Sequence, residues 1–282
     1  MNSINANGIC MDFGEKNVLC GIDLGIKSGE IFGLLGPSGA GKTTLIKILT
    51  GQLAQTGGTA DVFGRDTRSL AGADRRRIGI TMDNFGVYER LSCFDNLKVI
   101  AGIYGAGKNC IFDALEKVGL TDAAKTPAGK LSKGMTVRLR LARAFMTDPD
   151  ILFLDEPTSG LDPVSAGSIH RLILAEKERG KTIFLTTHNM TEAEKLCDNI
   201  ALLNEGKIVE YGAPAEICRR YDHQKRLRIH LADGSDIELP HTKSAAEELA
   251  ELIAGGKAET IHTTEPDLET VFTELTGKEL SA

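Results

Sequence analysis

An α/β fold built on a mostly parallel sheet is predicted by three features of this 282-residue sequence. Short apolar runs occur at 31–35 in EIFGLLG, at 151–155 in ILFLD and at 182–188 in TIFLTTH, as in strands buried on both faces. Segments of helical period lie between such runs, the pattern of βαβ units. A composition of 41% hydrophobic and 26% charged residues belongs to an ordinary globular protein with ample material for a core.

The elements follow in order. The run at 31–35 is bounded by glycine and leads into a glycine-rich loop, after which KTTLIKILTGQL places Leu45, Ile48, Leu49 and Gln52 at helical spacing, with Gly51 as a stop. A mostly helical stretch from about 85 to 148, including DNLKVIAGIYG, FDALEKVGL and KGMTVRLRLARAFMTD, reads as an inserted helical subdomain. The runs at 151–155 and 182–188 flank VSAGSIHRLILAEKERG, whose Ile169, Leu172 and Ile173 form one helical face. IALLNEGKIVEYG reads as a hairpin turning at 204–206, an antiparallel edge after the parallel core. Beyond Tyr211 the pattern changes to RLRIHL, a turn, DIELP, a helix near 243–254, AETIHT and DLETVFTELTG. The expectation is a domain over 1–220 and a small α/β domain over 221–282.

Charge and composition narrow the classes. A net charge of −6 gives no electrostatic reason to expect a nucleic-acid partner, and Arg75 to Arg77 read as a solvated helix face. Six scattered cysteines form no CxxC pair. No apolar run approaches the roughly 20 residues that span a bilayer, and the start lacks a signal peptide's basic and apolar regions. A cytoplasmic location is expected.

Gly36, Pro37, Ser38, Gly39, Ala40, Gly41, Lys42 and Thr43 spell GxxxxGK[ST] between a predicted strand and a predicted helix. Its glycines let backbone N–H groups turn toward phosphate oxygens at the positive end of the helix. Lys42 would reach the β and γ phosphates, and Thr43 would offer a hydroxyl to magnesium. ILFLDEP then delivers two adjacent carboxylates: Asp155 would hold magnesium through water and Glu156 would polarise the water that attacks the γ-phosphate. Alternation along the strand would separate the two side chains, and Pro157 would end it.

With these motifs in place the chain resembles the nucleotide-binding domain of ABC transporters over roughly residues 1–220. LSKGM at 131–135 resembles that family's signature, TSGLDP at 158–163 its D-loop, and His188 its switch histidine. The resemblance implies the RecA-like core of P-loop NTPases with an antiparallel edge, and ATP and Mg²⁺ as cofactors. It implies head-to-tail pairing with a second nucleotide-binding subunit, alike or different, and a separate transmembrane permease that holds the chain at the cytoplasmic face of the membrane. It further implies nucleotide contacts from Phe13, stacked on adenine, from Thr44, from Ser132 and Gly134 at the start of a helix, and from Asp162. His188, at the end of a strand neighbouring Asp155, would contact the γ-phosphate. Each has a plainer reading too: Phe13 as hairpin core, Ser132 as a helix cap, His188 as a core histidine. Residues 222–282 resemble the C-terminal extension of bacterial exporter ATPases linked to antibiotic or peptide efflux.

Two departures stand out. Asp83 occupies the position where the family usually has a glutamine magnesium ligand, and Lys133 and Met135 replace Gly and Gln of the signature. A turn cap is the alternative role for Asp83. A soluble, non-transport ABC ATPase and a regulatory half of a heterodimer remain as alternatives. Retention of Glu156 and His188 speaks against the latter, and the lack of an NKxD motif against a GTPase.

Overall fold

The computed structural model describes residues 2–82, 86–223, 226–240, 242–263 and 266–277, which form two compact units, Met1–Gly212 and Ala213–Leu280. In the first unit the chain runs β1 (Asn2–Phe13), β2 (Lys16–Lys27), β3 (Ile31–Leu35), α1 (Lys42–Leu49), β4 (Gly57–Val62), β5 (Arg65–Asp66), α2 (Gly72–Arg76) and β6 (Ile78–Thr81). Three helices follow, α3 (Cys93–Tyr104), α4 (Lys108–Lys117) and α5 (Lys133–Phe145). The unit closes with β7 (Ile151–Asp155), α6 (Pro163–Glu178), β8 (Thr182–Thr187), α7 (Met190–Leu196), β9 (Asn199–Asn204) and β10 (Lys207–Gly212).

The central sheet has the order β10-β9-β3-β8-β7-β6. All neighbours pair parallel except β9 with β10, which form the antiparallel edge. Its strands read as continuous apolar runs because both faces are covered. Phe32, Leu34, Phe153 and Phe184 point into one core with Ile4, Ile9, Leu19, Leu45 and Ile48. Ile31, Leu152, Leu154, Ile183 and Leu185 point into the other, with Leu97, Leu115, Leu139, Phe145, Ile169 and Ile173. The first core is roofed by an antiparallel sheet of order β2-β1-β4-β5, and the second is covered by α3 to α6. Helix α1 ends at Leu49 with Gly51 in the left-handed region, so Gln52 lies past its end. Arg75, Arg76 and Arg77 are exposed, and Arg77 lies 3.8 Å over the Phe63 ring and 2.5 Å from Asp150.

The second unit contains α8 (Pro214–Arg220), β11 (Arg226–Leu231), β12 (Asp236–Pro240), α9 (Lys243–Ala254), β13 (Ala258–Thr263) and α10 (Leu268–Thr276). Strand β11 is central in an antiparallel sheet of order β12-β11-β13. Ile229, Leu239 and Ala245 are its buried centre, with Leu249 and Leu252 of α9 packed against them. α8 and α10 also pack together.

Candidate active site

The phosphate loop lies where β3 hands the chain to α1. Gly36 is required there because a Cβ would come within 2.3 Å of the Leu203 carbonyl oxygen on neighbouring β9. Gly41, which precedes the helix, has φ +111°, a conformation that favours glycine. The loop borders a cavity of about 710 Å³ lined by, among others, Ser38, Gly39, Lys42, Thr43, Thr44, Asp155 and Glu156. The Lys42 side chain is only 5% exposed, and its Nζ donates to the carbonyl oxygens of Gly36 at 2.7 Å and Pro37 at 3.2 Å. The same ammonium lies 3.2 Å from Glu156 Oε1.

Asp155 ends β7 with both carboxylate oxygens engaged. Thr43 Oγ1 donates to Oδ2 at 2.8 Å, and Thr186 Oγ1 of the adjacent strand donates to Oδ1 at 2.6 Å. Thr43 and Asp155, expected as magnesium ligands, therefore meet as a pair of hard oxygen donors, which fits that cation. Among the described residues no cluster of three or more His, Cys, Asp or Glu side chains could hold a metal. A magnesium ion at this pair would complete its shell with phosphate oxygens and water. The third expected ligand, Asp83, lies outside the described residues.

Glu156 is turned away from Asp155 by a different means than strand alternation. The strand stops at Asp155, and Glu156 itself adopts φ +47°, so it is this left-handed residue and not Pro157 that breaks the strand. Two bonds hold that conformation: Glu156 N–H donates to the Thr186 carbonyl and lies 3.1 Å from Thr186 Oγ1. Its carboxylate is bracketed by Lys42 on Oε1 and by His188 Nδ1, 3.1 Å away, on Oε2. His188 follows β8 directly, and β8 pairs with β7, so the sheet register delivers the histidine to the carboxylate.

Other expected contacts lie apart from this cavity. Phe13 ends β1 half exposed, opposite Lys16 in the hairpin, and so is not a core residue; Lys16 lines the cavity and Phe13 does not. Ser132 is the N-cap of α5, accepting from Met135 N–H, and Gly134 sits where a Cβ would be 3.2 Å from Ser165 Oγ on α6. Asp162 caps α6 by accepting from the N–H groups of Val164 and Ser165 at 3.0 and 2.9 Å, and the bonds from Ser165 hold its carboxyl below the usual range. None of Ser132, Gly134 and Asp162 lines the phosphate-loop cavity. Two contacts of the site had no signal in the sequence, the Lys42–Glu156 ion pair and the Thr186–Asp155 bond, because each joins residues far apart in the chain, the first from the start of α1 to the residue after β7 and the second between neighbouring strands.

A model of the ABC transporter family matches residues 19–159. A fluoroquinolones export ATP-binding protein of Mycobacterium tuberculosis is 41% identical over 266 residues, 93% of this chain and 88% of that protein. The bacitracin transport ATP-binding protein BcrA of Bacillus licheniformis is 40% identical over 223 residues, 78% of this chain and 72% of that protein. Among solved structures, the ATP binding subunit of an ABC transporter aligns at TM-score 0.69 with 26% identity, over 77% of this chain and 92% of that one. A dimeric ATP-binding cassette in a post-hydrolysis state with ADP and Pi aligns at TM-score 0.67 with 25% identity, over 74% of this chain and 98% of that one. With a family model matching half of the chain and a relative 41% identical over 93% of it, the chain whose phosphate loop faces a buried aspartate and a histidine-paired glutamate belongs to the ABC transporter family as an ATP-binding, ATP-hydrolysing subunit.

Proposed function

We propose that this ATPase powers export: two copies, or this chain and a related one, close head to tail around two MgATP, and the closure drives a separate transmembrane partner. The observation that carries the reading is the division of the site. Lys42, Thr43, Asp155 and Glu156 gather on one cavity, whereas Ser132, Gly134 and Asp162 do not line it. Nucleotide contacts from the latter group are then supplied across a subunit boundary. A relative named for fluoroquinolone export supports an exporter over an importer, and one named for bacitracin transport supports transport. Among the described residues no helix is long and apolar enough to cross a membrane, so a membrane path would come from the partner, which would hold this chain at the cytoplasmic face.

In this reading Lys42 leaves the Glu156 carboxylate for the β and γ phosphates, and Phe13 stacks on the adenine. Glu156, released from the ammonium, takes a proton from the attacking water, with His188 holding the opposite carboxylate oxygen and contacting the γ-phosphate. Magnesium on Thr43 and Asp155 would neutralise phosphate charge. Asp83 would add an anionic ligand to it, so Asp83→Ala should raise the free magnesium needed for half-maximal ATPase activity; superimposable curves remove Asp83 from the ligand set.

The test of the whole reading is Glu156→Gln. It should retain ATP binding, lose at least about 100-fold in turnover, and elute as a dimer on size exclusion with MgATP. Turnover near wild type removes Glu156 as the base. Purification of the wild-type chain from native membranes should bring down a hydrophobic multi-span protein, and failure to do so on repeated extraction overturns the transport role.

A further inference from the structure

Glu192 is a carboxylate buried to 3% relative exposure on α7, outside the cavity just described. Thr158 Oγ1 donates to its Oε1 at 2.5 Å, and His170 Nε2 of α6 lies 3.0 Å from the same oxygen. Its other oxygen, Oε2, is buried and meets no hydrogen-bond partner among the described residues. Burial alone would push this carboxyl up, yet its hydrogen bonds, those with His170 and Thr158 foremost, outweigh it and hold it below the usual range. A carboxylate kept here with one oxygen unsatisfied costs stability that an apolar side chain of the same volume would not. Packing therefore does not explain it.

What the carboxylate joins does. Thr158 stands two residues beyond Glu156, and Ser159 N–H closes the intervening turn on the Glu156 carbonyl at 3.1 Å. On the other side, Glu192 N–H donates to Asn189 Oδ1 and Asn189 N–H to Thr187 Oγ1, each at 3.0 Å. Thr187 immediately precedes His188. The two side chains that meet at 3.1 Å, Glu156 and His188, thus hang from segments tied to one buried residue, by its carboxylate on the Thr158 side and by its backbone N–H on the Asn189 side. We propose that Glu192 is a positioning residue for hydrolysis: with Thr158 and His170 it fixes the Glu156 turn against the His188 strand end, so that base and histidine keep their register. The inference rests on the assignment of Glu156 as base.

Two near-isosteric substitutions separate positioning from bulk stability. Glu192→Gln keeps the shape but loses the charge facing His170, and Thr158→Val removes the donor while keeping the volume. Each should lower kcat about tenfold with KM changed less than about twofold. In a Glu156→Gln background, single-turnover hydrolysis of labelled ATP should show no further loss beyond about twofold, because residues acting as one unit are not additive. A full additional tenfold loss in that background, or unchanged kcat in the single variants, overturns the positioning role alone. Should Glu156→Gln by itself keep wild-type turnover, the base assignment falls, and the positioning role falls with it.

Discussion

Lys42 shows how much of this site is decided by one side chain. Its ammonium is nearly enclosed, and the groups around it are two carbonyl oxygens and the Glu156 carboxylate. A buried cation needs anionic or strongly polar company, and a phosphate arriving in the same cavity would supply a stronger partner than the carboxylate. Binding and activation of the base are then one exchange of partners. Lys42→Ala should weaken ATP binding at least about tenfold by titration calorimetry, since backbone donors alone would hold the phosphates. Equal affinity for wild type and variant would remove the loop from nucleotide binding. The residue roles legible in the sequence were those with local motifs: Lys42 and Thr43 from GxxxxGK[ST], Asp155 and Glu156 from an apolar run ending in acids. Glu192 was not legible, because an acid on a short amphipathic helix reads as solvated, and its burial depends on α6 and the Thr158 turn reaching it from elsewhere in the chain.

At the scale of elements, the parallel strands β3, β7 and β8 and the β9–β10 hairpin were legible because an apolar run or a turn marks each one locally. Of the long β1–β2 hairpin only the turn region around Phe13 was. Its strands carry repeated register shifts and several glycines, which blur the two-residue alternation that would mark a half-buried sheet. Sheet order was also invisible: β3 lies between β8 and β9, strands that come some 150 residues later in the chain. Helix α5 carries two roles on one residue, since Ser132 caps it and is also proposed to face a nucleotide across the dimer. Substitution separates them. Ser132→Ala should cost about 1 kcal/mol of stability for the lost cap, whereas Ser132→Asp should restore it, aspartate being an equally good cap and favourable at a helix N-terminus. An aspartate would repel a phosphate, however, so both variants, placed in the Glu156→Gln background, should fail to dimerise with MgATP on size exclusion. A Ser132→Asp protein that dimerises normally would confine Ser132 to capping.

The whole molecule divides after Gly212, and each part closes its own sheet. Every described residue of the site belongs to the first unit, where β10 completes the six-stranded sheet before the chain leaves it. The second unit is small: among the described residues Ile229, Leu239 and Ala245 are buried beneath its sheet, and Ile217, Leu268, Val271 and Phe272 are buried on α8 and α10. Domains of that size bury a smaller fraction of their surface and are marginal, whereas the first unit has two large cores on either side of one sheet. Unequal stabilities follow, and with them a departure from a single cooperative transition. Differential scanning calorimetry of the intact chain should show a small transition below a larger one, and saturating ATP should raise only the larger, because ligand stabilises the unit that binds it. A chain ending after Tyr221, between α8 and β11, should lose the small transition and keep ATP affinity within about twofold. If the truncated chain fails to bind ATP, or if the two transitions move together with nucleotide, the units are energetically one and the second contributes directly to the nucleotide site.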